Sequence, residues 1–149
     1  MLKYEAIFLD EESVNLIHQL EKNKLDRVND EIHLTLKYKP NDNEIFNDVV
    51  GKTFELYLIG YGNDGINAGF EIELSEELKP YYINYDEDDS SIIKIPHITS
   101  SLKEDAKAVN TKNIKFVPLS KKYKVKGRLG FWLEDEEGNE SLSFEKYNK

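Results

Sequence analysis

The first ten residues carry an apolar run interrupted by Glu5, which predicts a folded strand and lacks the long apolar core of a leader peptide. Asp10 then suits an N-cap and Glu11 and Glu12 a first helical turn. Val14, Leu16, Ile17 and Leu20 recur at helical spacing, predicting a helix over 11–24. Residues 31–38 alternate: Ile32, Leu34 and Leu36 share one face and His33, Thr35 and Lys37 the other, the period of a half-buried strand. The same alternation returns over 91–101, with Ile93, Ile95, His97 and Thr99 on one face and Ile92, Lys94, Pro96 and Ile98 on the other. Elsewhere the pattern predicts a short helix over 44–50, strands over 53–59 and 66–74, and a helical or irregular stretch over 76–82. A helical stretch over 103–109, a strand over 114–119, a long strand over 123–133 and a last strand over 141–144 complete the order.

Three local patterns invite chemistry and are better read as structure. Gly60-Tyr61-Gly62-Asn63-Asp64-Gly65 matches G-x-G-x-x-G, but the pyrophosphate-binding version needs a helix N-terminus after the loop; here a strand follows, so a hairpin turn is expected. Asp86-Glu87-Asp88-Asp89 lacks the alternating spacing, central Gly and terminal Glu of a calcium loop and reads as a solvated loop. Lys121, Lys122, Lys124, Lys126 and Arg128 form the concentrated basic run, read as the lysines that protect an edge strand from sheet association.

At 149 residues a single domain with one core is expected. The net charge of −9 disfavours a long duplex as partner, because binding along a polyanionic backbone is driven by cations, yet it leaves room for a local positive pocket. Without cysteine there is no disulfide, thiolate zinc site or cysteine nucleophile. No apolar stretch approaches the roughly 20 residues of a membrane span. A cytoplasmic monomer with no membrane partner is the expectation.

The informative chemistry lies in the histidines. Two of the three stand in the same setting, His33-Leu34-Thr35-Leu36 and His97-Ile98-Thr99-Ser100. With four Thr in 149 residues, the chance that two of three His are followed by Thr at the second position is on the order of 0.002, so coincidence is a poor account. On a strand, residues two apart share a face at about 6.5–7 Å, a pair able to embrace one phosphate-sized group. Splitting a phosphodiester needs a base for the attacking oxygen and an acid for the leaving oxygen. Two imidazoles titrating near neutrality supply both, and the Thr hydroxyls can hydrogen-bond the non-bridging oxygens. His18, on the first helix with no Thr after it, reads as a solvent-facing or helix-packing residue. No cofactor is called for, and no metal: the two motif histidines would need a third ligand, and no H-E-x-x-H spacing exists.

At these eight residues the sequence resembles the two-histidine (2H) phosphoesterase superfamily, named for paired H-x-[ST]-x motifs. The resemblance implies an α+β, bilobal fold of two antiparallel sheets with outer helices, related by a pseudo-twofold axis, with one motif strand from each lobe in a central cleft. Superfamily members include cyclic phosphodiesterases, 2′-5′ RNA ligases and enzymes that cleave cyclic-oligonucleotide signals. The expected activity is metal-independent hydrolysis of a nucleotide phosphodiester, a 2′,3′-cyclic phosphate or a small cyclic oligonucleotide, with a nucleotide or RNA end as substrate. Alternatives are 2′-5′ ligation and a non-catalytic nucleotide or RNA-end binding module. His33, Thr35, His97 and Thr99 are the expected catalytic set, and Tyr4, Lys37, Tyr38 and Trp132 the candidates for base stacking or phosphate contact.

Overall fold

A computed structural model describes residues 1–85, 89 and 91–148, without the side chain of Val109. The acidic run's Asp86, Glu87 and Asp88 lie outside the described residues. The fold is α+β and mostly strand: β1 (Leu2–Leu9), α1 (Glu11–Leu20), β2 (Arg27–Val28), β3 (His33–Tyr38), β4 (Thr53–Asn63), β5 (Asn67–Leu74), β6 (His97–Leu102), β7 (Val117–Glu134) and β8 (Glu140–Ser143). The strands form one antiparallel sheet in the order β2-β6-β5-β4-β7-β1-β3, with β8 also paired to β7.

Two separate sheets with outer helices, implied by the resemblance, are not what forms. β7 is the reason. Its 18 residues pair with β4 from Val117 to Arg128 and with β1 from Gly127 to Leu133, so one strand joins β1-β3 on one side to β4-β5-β6-β2 on the other in a continuous sheet. α1 is the one α-helix among the described residues. β7 is flanked on both sides only where β1 joins it; from Val117 to Lys126 it pairs with β4 alone among the described strands, so Lys121, Lys122, Lys124 and Lys126 stand on a local edge, the setting the edge reading describes. Two of these lysines are ion-paired: Lys122 with Glu73 at 2.7 Å and Lys124 with Glu55 at 3.7 Å. Arg128 donates to the Gly51 carbonyl and lies 4.1 Å over the Phe144 ring.

Three boundaries move for identifiable reasons. α1 starts where expected, with the Asp10 carboxylate accepting from Ser13 N at 2.8 Å, but ends at Leu20 because Glu21 turns extended and carries its carboxylate into the interior. β6 begins only at His97, since Pro96 has no N–H for a ladder; Ile92, Ile93 and Ile95 before it are exposed. The glycine-rich hexapeptide is a hairpin as expected. β4 runs through it to Asn63, Asp64 Oδ1 caps Ile66 N and Asn67 N, and Gly65 takes the turn at φ +84°.

The core packs Leu34, Leu36, Phe54, Leu56, Leu58, Phe70, Ile98, Val125 and Leu129, each worth about 1.5–3 kcal/mol on burial. Around it the sheet curls until β3 and β6, at far positions in the strand order, lie against each other. The gap between them is laced by Ile83 N donating to the Leu36 carbonyl (3.2 Å) and by Asn29, whose N and Nδ2 donate to the Ser100 and Thr99 carbonyls. No helix among the described residues is long and apolar enough to cross a membrane.

Candidate active site

Both motif strands pair with an inner strand in the same register. His33 faces Phe8 and Thr35 faces Ala6 on β1; His97 faces Glu71 and Thr99 faces Gly69 on β5. Directly beyond each threonine the register slips by one residue, so that Lys37 meets Glu5 and Ser101 meets Ala68. Each half of the sheet thus has a β-bulge at the same point, and the extra residue, Leu36 or Ser100, is fully buried. With Leu34, Leu36 and Ile98 in the core, His33, Thr35, His97 and Thr99 come to the opposite face and line one cleft of about 700 Å³.

The bulge also decides which neighbours join them. A slip of one residue exchanges faces: Tyr38 comes to stand opposite Tyr4, and both line the cleft, while Lys37 stands opposite the inward Glu5 and is not among the cleft residues. Simple alternation predicts the reverse for Lys37. Its ammonium lies 5.9 Å over the Tyr85 ring. Trp132 does not line the cleft either; its ring stacks 6.0 Å behind Tyr4 at 10°, making it a support for a cleft residue. His18 Nε2 donates to the Asn29 carbonyl (2.9 Å), tying α1 to the residue that bridges to Thr99.

The two imidazoles sit in different surroundings. His33 stacks on Tyr4 at 5.1 Å and packs against Phe8 at 5.4 Å, and its Nδ1 is buried with no hydrogen-bond partner. Burial, then the nearby His97, lowers its pKa to about 4. His97 Nδ1 donates to the Ile95 carbonyl at 2.8 Å, which leaves Nε2 as its free nitrogen. Burial lowers its pKa, the Ile95 carbonyl opposes that, and Lys94 and Lys112 lower it further.

Sequence reasoning missed several residues here. Lys94 and Lys112 line the cleft beside His97 and give it a local positive charge within an acidic protein, together with Asn29, Tyr82 and Asn84. Behind the cleft, Thr99 Oγ1 lies 2.8 Å from Thr111 Oγ1, which in turn receives Asn67 Nδ2 at 3.1 Å. One signal was present: three of the chain's four threonines belong to this site. Among the described residues no group of three or more His, Asp or Glu side chains is arranged to hold a metal ion. No family model matches the chain, and no curated protein resembles it closely enough to count as a match.

Proposed function

We propose that the chain is a phosphodiesterase of the paired-histidine type, acting on a 2′,3′-cyclic phosphate or a small cyclic oligonucleotide. The observation that carries this reading is the repeated register: two His-x-Thr strands, each bulged at the same point, facing one cleft. In this reading the halves β3-β1-β7 and β6-β5-β4 serve as two lobes, each delivering one imidazole and one hydroxyl.

The unequal environments of the imidazoles support an assignment of roles. His33, the harder to protonate, is the base that takes a proton from water as its oxygen attacks phosphorus. His97, with its Nδ1–H held by Ile95, is the acid that protonates the departing ribose oxygen through Nε2. A bound phosphate brings negative charge beside both rings and favours the protonated His97 that the step requires. Thr35 and Thr99 donate to the non-bridging oxygens, and Lys94 and Lys112 offset the charge. Both proton transfers are accounted for by side chains, so no metal is required.

Incubation with 2′,3′-cyclic nucleotides, cyclic-phosphate-ended RNAs and cyclic oligonucleotides, with products identified by mass and retention, tests this. Opening of a phosphodiester by one added water is expected. Tight binding without turnover of any substrate would replace the enzyme with a phosphate clamp, and joined RNA ends would replace it with a ligase.

A further inference from the structure

The two motif threonines, alike in sequence, differ in what stands behind them. Thr35 makes no side-chain hydrogen bond among the described residues, whereas Thr99 ends a chain of three polar side chains. The direction of that chain follows from donor and acceptor chemistry. Asn67 is buried, and its amide nitrogen lies 2.8 Å from the Lys107 carbonyl and 3.1 Å from Thr111 Oγ1. A carbonyl oxygen only accepts, so the Lys107 contact identifies this end of the amide as NH2, and its two protons go to Lys107 O and Thr111 Oγ1. Thr111 is itself fully buried, with its oxygen already accepting from Asn67. Its own proton has one acceptor within hydrogen-bond distance among the described residues, Thr99 Oγ1 at 2.8 Å, and a buried hydroxyl proton left unpaired is costly. Thr99 therefore accepts from Thr111, and its own proton is left for the cleft that Thr99 lines.

We propose that Asn67 and Thr111 are positioning residues that set Thr99 as a fixed hydrogen-bond donor to one anionic oxygen of the bound phosphate. The proposal rests on the phosphodiesterase reading for the identity of that oxygen, though the relay itself does not. It makes the cleft functionally one-sided: Thr99 is oriented before substrate arrives, and Thr35 turns only on contact. A donor fixed in advance costs no reorganisation as charge develops on the oxygen, and each bond of a hydrogen-bonded chain polarises the next.

The test compares wild type, Thr111→Val, Thr111→Ser and Asn67→Asp for hydrolysis of a 2′,3′-cyclic nucleotide and of its phosphorothioate, with melting temperatures measured alongside. Thr111→Val keeps the shape and removes the relay. It should lower kcat by no more than on the order of tenfold, less than Thr99→Ala, which deletes the donor itself, with little change in KM. It should also shrink the rate ratio between oxygen and sulfur substrates, because sulfur accepts the Thr99 hydrogen bond poorly. Thr111→Ser should restore both. Asn67→Asp offers Thr111 an acceptor, reverses the chain and turns the Thr99 proton away from the cleft, so it should match or exceed the Thr111→Val loss. An unchanged oxygen-to-sulfur ratio in a normally melting Thr111→Val protein, or a Thr111→Ser variant as impaired as Thr111→Val, would overturn the proposal. Should wild type turn over nothing, the functional reading falls and the relay is judged separately in the free protein by NMR. A slowly exchanging Thr111 hydroxyl proton close to Thr99 upholds it, and a hydroxyl proton absent or directed elsewhere refutes it.

Discussion

Ser100 and Ser101 are consecutive on β6, yet both hydroxyls donate to the same oxygen of Glu21, at 2.8 and 3.0 Å. Neighbours on a regular strand point to opposite faces, so the shared acceptor is the signature of the bulge after Thr99. Tyr61 Oη donates to that oxygen as well, at 2.7 Å. The buried carboxylate just past α1 thus holds the point at which the second motif strand changes register, and it explains the polar residue that follows Thr99.

Replacing either motif histidine should cost at least about 10²-fold in rate, and the double replacement far less than the product, since both rings act on one step. Thr35→Ala and Thr99→Ala should be milder. His18→Ala should leave kcat nearly unchanged, as its ring contacts Asn29 and not the reacting group. Steady-state kinetics on the best substrate checks all of these, and a His18 effect as large as that of His33 would contradict the role assignment.

The dependence of kcat/KM on pH should be a bell lying on the acidic side of neutrality. The base must be neutral, so activity rises as pH passes the value of about 4 for His33. The acid must be protonated, so activity falls as pH passes that of His97, held below the ordinary 6.5. Lys112 is one of the cations lowering His97; Lys112→Gln should therefore move the alkaline limb to higher pH and leave the acidic limb in place. A shift in the opposite direction would refute the assignment of His97 as acid.

Glu5 gives stability its own pH dependence. Its carboxylate is buried, with Oε1 accepting from Phe46 N at 3.0 Å and Oε2 unpartnered, and burial raises its pKa to about 7. A group whose folded pKa lies above its unfolded value binds protons more tightly when folded. The contribution of Glu5 is complete below about pH 4.5 and is lost as pH rises to about 7, by up to about 3 kcal/mol, while His33, whose pKa is lowered on folding, contributes with the opposite sign over an overlapping range. Denaturant titrations across this range should show the stability difference between wild type and Glu5→Gln move in favour of the variant as pH rises, which isolates Glu5 from the opposing slope of His33.

Gly69 should not tolerate a side chain. A Cβ there would meet the Ile98 carbonyl oxygen, which is backbone and cannot swing aside, and Thr111 Cγ2 at 2.8 Å. Gly69→Ala is expected to lose at least about 1–3 kcal/mol and to displace Thr99. Ala6, which occupies the matching position opposite Thr35, should accept glycine at a smaller cost. Thermal melts of the two variants make the comparison.

Short substrates should be processed at least as well as long RNA. Three of the five cations of β7 are engaged, Lys122 and Lys124 with carboxylates and Arg128 with Gly51 O and Phe144. Binding should then depend only shallowly on salt, and Lys124→Ala with Lys126→Ala should change little. Rates against oligonucleotide length at two salt concentrations would expose the contrary: a steep gain with length, erased by salt and by these replacements.

The sequence carried the motif strands because their alternation is local: Leu34, Leu36 and Ile98 point to the core and the His and Thr residues away from it, as the period of two requires. It could not carry the bulges, since no residue at Leu36 or Ser100 signals a one-residue slip. That slip is what turned Lys37 away from the cleft while keeping Tyr38 in it. The lysines of β7 were legible because the segment that carries them is a local edge: up to Lys126 it pairs with β4 alone among the described strands, and β1 joins only at Gly127. Asn67 and Thr111 came from segments that the fold brings behind β6, a placement no spacing along the chain encodes.

The aromatic stack beside His33 has an optical consequence. Trp132 is the chain's one tryptophan, its ring lies nearly parallel to Tyr4 at 6.0 Å, and Tyr4 stacks on His33 at 5.1 Å. Indole emission is sensitive to the polarity and charge around the ring, so a single intrinsic fluorophore reports on this end of the cleft from one ring away. Occupancy by a nucleotide and charging of His33 both become readable as changes in fluorescence, without label or engineered probe.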